Sequence, residues 1–205
     1  MIKNIIFDIG GVIAYFNEDN MLKSFTPEKD IQEFLRENVV YSPEWVKYGL
    51  IDLGYISLDQ MGDIICDRTD HVHDELVKKV SKEHINFIVT QSIVLDLIKK
   101  IRKNGYKVYI LSNTNESAMT KHQEVIKNVD GYVLSYQVHM IKPHVGIYKE
   151  LLNKYNLKPE ECIFLDDRND NAKTACKLGI HGERVLPNNF DSIIDALKKY
   201  NIKID

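Results

Sequence analysis

Cysteine is scarce in this chain of 205 residues: there are only three, Cys66, Cys162 and Cys176, and no two form a C-x-x-C pair. An odd, scattered set argues against a disulfide framework and fits a cytoplasmic, reducing home. Basic charge is not in surplus either, since 27 Lys and Arg face 30 Asp and Glu for a formal net charge of −3. The lysines alternate with acids along helix-like stretches, a pattern of solvated helix faces rather than a nucleic-acid stripe. Long apolar runs are also missing. The N-terminal MIKNIIFDIGGVIAYF is short and interrupted by Asp8, whereas a membrane span takes about 20 apolar residues. It has no small-residue cleavage site, so it reads as a buried strand rather than a signal. Neither a nucleic-acid nor a membrane partner is expected. No repeat or low-complexity segment is present.

What remains is ordinary for a soluble globular protein, with 44% hydrophobic and 28% charged residues. The length falls between one large domain and a core carrying a smaller insertion. Residues 2–8 form a β-prone run ended by Gly10-Gly11. From about residue 17 to 87 the pattern turns helical and amphipathic, with Thr26 and Ser42 placed as N-caps before Pro27 and Pro43. No strand is expected there. Beyond it strands and helices alternate: a helix over 91–103, a strand over 106–112, a helix over 116–127 and a strand near 131–136. A helix over 144–156, a strand over 161–167, a helix ending at Leu178, a strand near 183–186 and a helix over 190–200 complete the chain. This rhythm predicts an α/β fold, a Rossmann-like doubly wound parallel sheet, with residues 1–16 and 88–205 as core and 17–87 as an inserted α-helical cap.

Ligands of such sheets bind at the carboxyl ends of the strands. The expected strand ends carry Asp8, Ser112-Asn113 and Asp166-Asp167, and Lys142-Pro143 follows the third strand. A nucleophilic carboxylate, a hydroxyl, a lysine and an acidic pair thus converge. These are the parts of phosphoryl transfer through an acyl phosphate, in which a cation such as Mg²⁺ offsets the approach of two anions.

The segments FDIGGV at 7–12, LSN at 111–113, KP at 142–143 and FLDDRNDN at 164–171 resemble the four ordered motifs of the haloacid dehalogenase superfamily. Together with SPEWVKYGLIDLGYIS they look like its small bacterial sugar-phosphate phosphatases with a helical cap. The resemblance implies Asp8 as nucleophile and metal ligand, and Mg²⁺ held also by the Gly10 carbonyl, by Asp167 directly and by Asp166 through water. It implies that Ser112 and Asn113 bind the phosphoryl group of a small phosphate ester, that Lys142 offsets charge, and that Asn171 braces the loop.

One position departs from that pattern. The family's phosphatases carry an acid/base aspartate two residues after the nucleophile, and here that residue is Gly10. Another group donates the proton, the leaving group needs none, or catalysis is weak; the sequence leaves these open. Two further readings stand beside the phosphatase: a metal-free 2-haloacid dehalogenase, and a phosphate-binding regulatory protein without turnover. His71 and His73 are read as surface residues, His144 as a neighbour of the site without a catalytic part, and Trp45, Tyr48 and Tyr55 as packing or cap-pocket residues.

Overall fold

The computed structural model describes residues 1–204. The first strand, β1 (Asn4–Phe7), is buried along its whole length. The chain turns at Gly10-Gly11 and leaves the core through β2 (Ala14–Phe16). A helical segment follows, made of α1 (Glu18–Phe25), α2 (Lys29–Leu35) with a π-helical turn at Arg36–Val40, α3 (Pro43–Val46), α4 (Leu58–Arg68) and α5 (Asp74–Glu83). A 3-10 turn at His84–Phe87 leads into β3 (Ile88–Thr90).

Helices and strands then alternate. They are α6 (Ser92–Lys103), β4 (Lys107–Ser112), α7 (Glu116–Met119), α8 (Gln123–Lys127), β5 (Gly131–Leu134) and α9 (Ser135–Val138). After these come α10 (Val145–Lys154), β6 (Cys162–Asp166), α11 (Asn169–Lys177), β7 (His181–Arg184) and α12 (Phe190–Lys199). Five strands form one parallel sheet in the order β5-β4-β1-β6-β7. This is the expected α/β doubly wound architecture.

Side-chain alternation assigns each helix to a face. Ile5, Phe7, Val108, Ile110, Ile163 and Leu165 point to the side covered by α6 and α12. Their sequence neighbours Ile6, Tyr109, Leu111 and Phe164 point to the side covered by α10 and α11. Full burial of each such side chain is worth roughly 1.5–3 kcal/mol, so both faces contribute heavily. The segment between β2 and β3 has its own apolar cluster, which includes Met21, Leu22, Leu35, Ile51, Met61 and Ile65. Helix α4 opens with a capping box in which the Ser57 and Gln60 side chains each take the other's backbone N–H.

Three local expectations are corrected: the role of Thr26, the single helix over 116–127 and the start of the last strand. The crossing to and from the helical segment is an antiparallel ribbon, β2 with β3, pairing Phe16 with Ile88. Its strands of three residues are too short to show an alternating pattern. Thr26 does not start a helix but closes α1, and its hydroxyl accepts from the Glu28 N–H. Ser42 does precede a helix, although without a side-chain cap bond. The helix expected over 116–127 is two short ones, and the last strand begins two residues earlier, in register with β6 from His181 opposite Ile163.

Helix α11, which starts just after the acidic pair, packs on β7 through Gly182. A Cβ on Gly182 would overlap the Ala172 carbonyl oxygen and press on the Cys176 sulfur. Gly182→Ala is therefore expected to lower stability by about 1–3 kcal/mol, the usual cost of overpacking against backbone, read by urea denaturation.

Candidate active site

Parallel strands end at one edge of the sheet, so the pairing of β1 with both β4 and β6 brings their last residues together. Asp8 follows β1, Ser112 closes β4 and Asp166 closes β6; all three are buried. Lys142 arrives from the loop between α9 and α10, and its ammonium is also buried. Its Nζ stands 2.8 Å from Asp8 Oδ1 and 2.7 Å from Asp166 Oδ2. Asp8 Oδ1 also accepts from the Ile9 N–H at 2.7 Å, and the Ser112 hydroxyl donates to the Asn113 carbonyl at 3.4 Å.

Further residues fix these groups. Asn171 donates from Nδ2 to both Asp166 oxygens, at 3.0 and 3.1 Å, and the Arg168 N–H donates to Oδ1 at 2.8 Å. Tyr148 Oη donates to the Asn171 carbonyl at 3.0 Å. The Asn113 side chain grips the backbone of Lys142, accepting from its N–H at 2.7 Å and donating to its carbonyl at 3.0 Å. The Asn113 amide side chain is thus engaged with Lys142, a positioning contact that the sequence does not announce.

Asp167 lies across the turn after β1. A Cβ on Gly11, whose φ is +69°, would come within 2.5 Å of Asp167 Oδ2, so the close approach of this carboxylate requires glycine.

The cluster is electrostatically incomplete. Asp8, Asp166 and Asp167 each offer a carboxylate oxygen, all within 4.8 Å of one another. One buried ammonium faces three carboxylates, which leaves negative charge in excess. Burial raises the Asp8 carboxyl to about 7, with Lys142 opposing and Asp166 reinforcing that rise. Burial, with Asp166 adding to it, raises Asp167 as well. Lys142 is raised although burial acts against its charge, because both neighbouring aspartates favour the ammonium. A divalent cation would neutralise the excess, and hard carboxylate and carbonyl oxygens are the donors that suit Mg²⁺. The residues present fit that ion.

The other flagged residues fall elsewhere. His71 is exposed beside Asp67 and Asp74, and His73 rests against the Phe34 ring. His144 caps α10, its Nδ1 accepting from the Gly146 N–H. Tyr48 and Tyr55 are exposed, with Tyr55 stacked on His139. Trp45 instead lines two cavities at the site, of about 200 and 390 Å³. The smaller is also lined by Gly10, Ser112, Asn113, His84 and His122. Asp52 borders both cavities and was not among the residues singled out from the sequence. It sits in a stretch between helices where no periodicity draws attention to it.

Comparison with known proteins accords with this arrangement. The family profile of haloacid dehalogenase-like hydrolases matches residues 2–179. A D-ribitol-5-phosphate phosphatase of Bacteroides thetaiotaomicron is 30% identical over 197 residues, covering 87% of this chain and 89% of that protein. A solved HAD family enzyme from the same organism superposes with a TM-score of 0.75 at 26% identity, over 95% of this chain and 98% of the other. A second structure of that enzyme, a complex with magnesium and inorganic phosphate, gives 0.74 at 25% identity over 95% and 99%. The chain spanning these motifs belongs to the haloacid dehalogenase-like hydrolase family.

Proposed function

We propose that the protein is a Mg²⁺-dependent phosphatase that hydrolyses a small sugar or polyol phosphate through an aspartyl-phosphate on Asp8. The observation that carries this reading is the buried set of Asp8, Lys142, Asp166 and Asp167 gathered at the strand ends with negative charge in excess. The similarity to a D-ribitol-5-phosphate phosphatase, and to an enzyme solved with magnesium and phosphate, supports it. Polyol 5-phosphates are accordingly the first substrates to test.

In this reading Asp8, the Gly10 carbonyl and Asp167 hold the ion directly, and Asp166 holds it through water. The support is the bonding of Asp166, whose oxygens already accept from Lys142, Asn171 and the Arg168 N–H. When bound, Mg²⁺ supplies neutralisation of the charge shared by nucleophile and phosphate. The chain's own residues do the rest. Asp8 attacks phosphorus, Lys142 and Ser112 stabilise the transferring oxygens, and the Asn113 grip on the Lys142 backbone holds the ammonium in place. Residues 17–87 act as a cap over the strand ends, supported by the presence of Trp45 and Asp52 in the same cavities as Gly10, Asn113 and Lys142. The metal-free dehalogenase reading is disfavoured by Asp166 and Asp167, which would repel a carboxylate substrate beside Asp8.

Two outcomes test this reading. In a phosphate-release screen over polyol and sugar phosphates, wild type is active with Mg²⁺ and inactive with EDTA, and Asp8→Asn loses at least roughly 10³-fold in kcat. Turnover that persists in Asp8→Asn, or chloride release from 2-chloropropionate in EDTA, would overturn it. The second outcome concerns stability. Because folding raises the Asp8 carboxyl from 3.8 to about 7, the metal-free unfolded chain gives up this proton first as pH rises, and stability falls across that window. Asp8→Asn removes the effect. It should stabilise the metal-free protein above pH 7 by about 1–3 kcal/mol more than at pH 4, measured by denaturation in EDTA.

A further inference from the structure

Gly10 brings no carboxyl to the site, yet phosphate-ester hydrolysis needs a proton for the leaving oxygen and a base for the attacking water. We infer that Asp52, from the segment between β2 and β3, is the proton donor and acceptor of the reaction. This inference rests on the phosphatase reading above.

Position is the first argument. Asp52 lies between α3 and α4 and forms part of the wall of both site cavities, one of which Gly10 and Ser112 also line and the other Lys142 and Arg168. Among the described residues lining either cavity, it is the one carboxylate. Trp45 lines both cavities together with it. The space that an acid at position 10 would fill is open, since a Cβ built on Gly10 meets nothing within 4 Å.

Chemistry is the second. A group that first gives and then takes a proton works best with a pKa near the working pH. Burial raises the Asp52 carboxyl to about 6, against the lowering effects of Trp45 and of the Lys142 charge. The two histidines of the cavities, Lys142 and Arg168 are less suited. Burial lowers His84, and it lowers His122 to about 4, so both are neutral near pH 7 and have no imidazolium proton to give. Lys142 is committed to Asp8 and Asp166. Arg168, paired with Asp170, keeps its proton.

The two half-reactions balance. As an Asp8 oxygen bonds to phosphorus, the ester P–O bond breaks, and the leaving oxygen takes that electron pair and the Asp52 proton. The Asp52 carboxylate then removes a proton from water as the water oxygen attacks phosphorus. The bond between Asp8 and phosphorus breaks, Asp8 regains its carboxylate, inorganic phosphate leaves, and Asp52 ends protonated as it began.

The test compares wild type, Asp52→Asn and Asp52→Asn with Gly10→Asp on two Mg²⁺-loaded reactions. One uses the fastest alkyl phosphate of the screen, the other p-nitrophenyl phosphate, whose leaving group needs no proton. Asp52→Asn should lose roughly 10²–10⁴-fold in kcat on the alkyl ester. On p-nitrophenyl phosphate it should release its first equivalent of nitrophenolate at the wild-type rate and then stall, because the base for water is gone. Adding Gly10→Asp should restore alkyl turnover. A variant that keeps wild-type alkyl turnover, or that loses both substrates equally with no burst and no rescue, overturns the role of Asp52 alone. A wild type inert on every ester overturns the phosphatase reading itself.

Discussion

The site depends on one buried ammonium held between two buried carboxylates. Lys142, from the loop between α9 and α10, lies 2.8 Å from Asp8 and 2.7 Å from Asp166, which stand at two neighbouring strand ends. Removing charges from water costs several kcal/mol per ion, and attraction offsets that only with close geometry and further hydrogen bonds. Asn171, the Arg168 N–H and the Ile9 N–H supply those bonds. The two apolar faces of the sheet, with the helices covering them, hold the strand ends that carry these groups.

That arrangement is also why the site suits its chemistry. A structural ion pair would be neutral, whereas here Asp167 joins the same cluster and leaves an excess of negative charge. Such a cluster would suit a divalent cation, which would offset the excess charge. The same burial that raises the Asp8 carboxyl keeps water away from its oxygens.

The strand ends are legible in the sequence because a buried parallel strand reads as a short apolar run, and the polar residue that stops it stands out. Asp8, Ser112 and Asp166 follow such runs. The family's ordered motifs add Lys142 and Asn171. Contacts made through backbone are not legible. Nothing in the residue type of Asn113 signals that its side chain holds the Lys142 peptide groups. The three-residue strands of the β2–β3 ribbon are too short to carry a period. Asp52 escapes for a different reason. An acid in an irregular stretch between helices looks solvated until the fold puts it in the wall of the cavities that Gly10 and Lys142 also line.

The most direct test of the account is chemical trapping of the nucleophile. A rapidly quenched reaction of Mg²⁺-loaded protein with an alkyl phosphate, followed by borohydride reduction, converts an acyl phosphate to an alcohol that peptide mass spectrometry can locate. Homoserine is expected at position 8, dependent on both substrate and Mg²⁺. Reduction at position 166 or 167, or none at any carboxylate under conditions of active turnover, would contradict it.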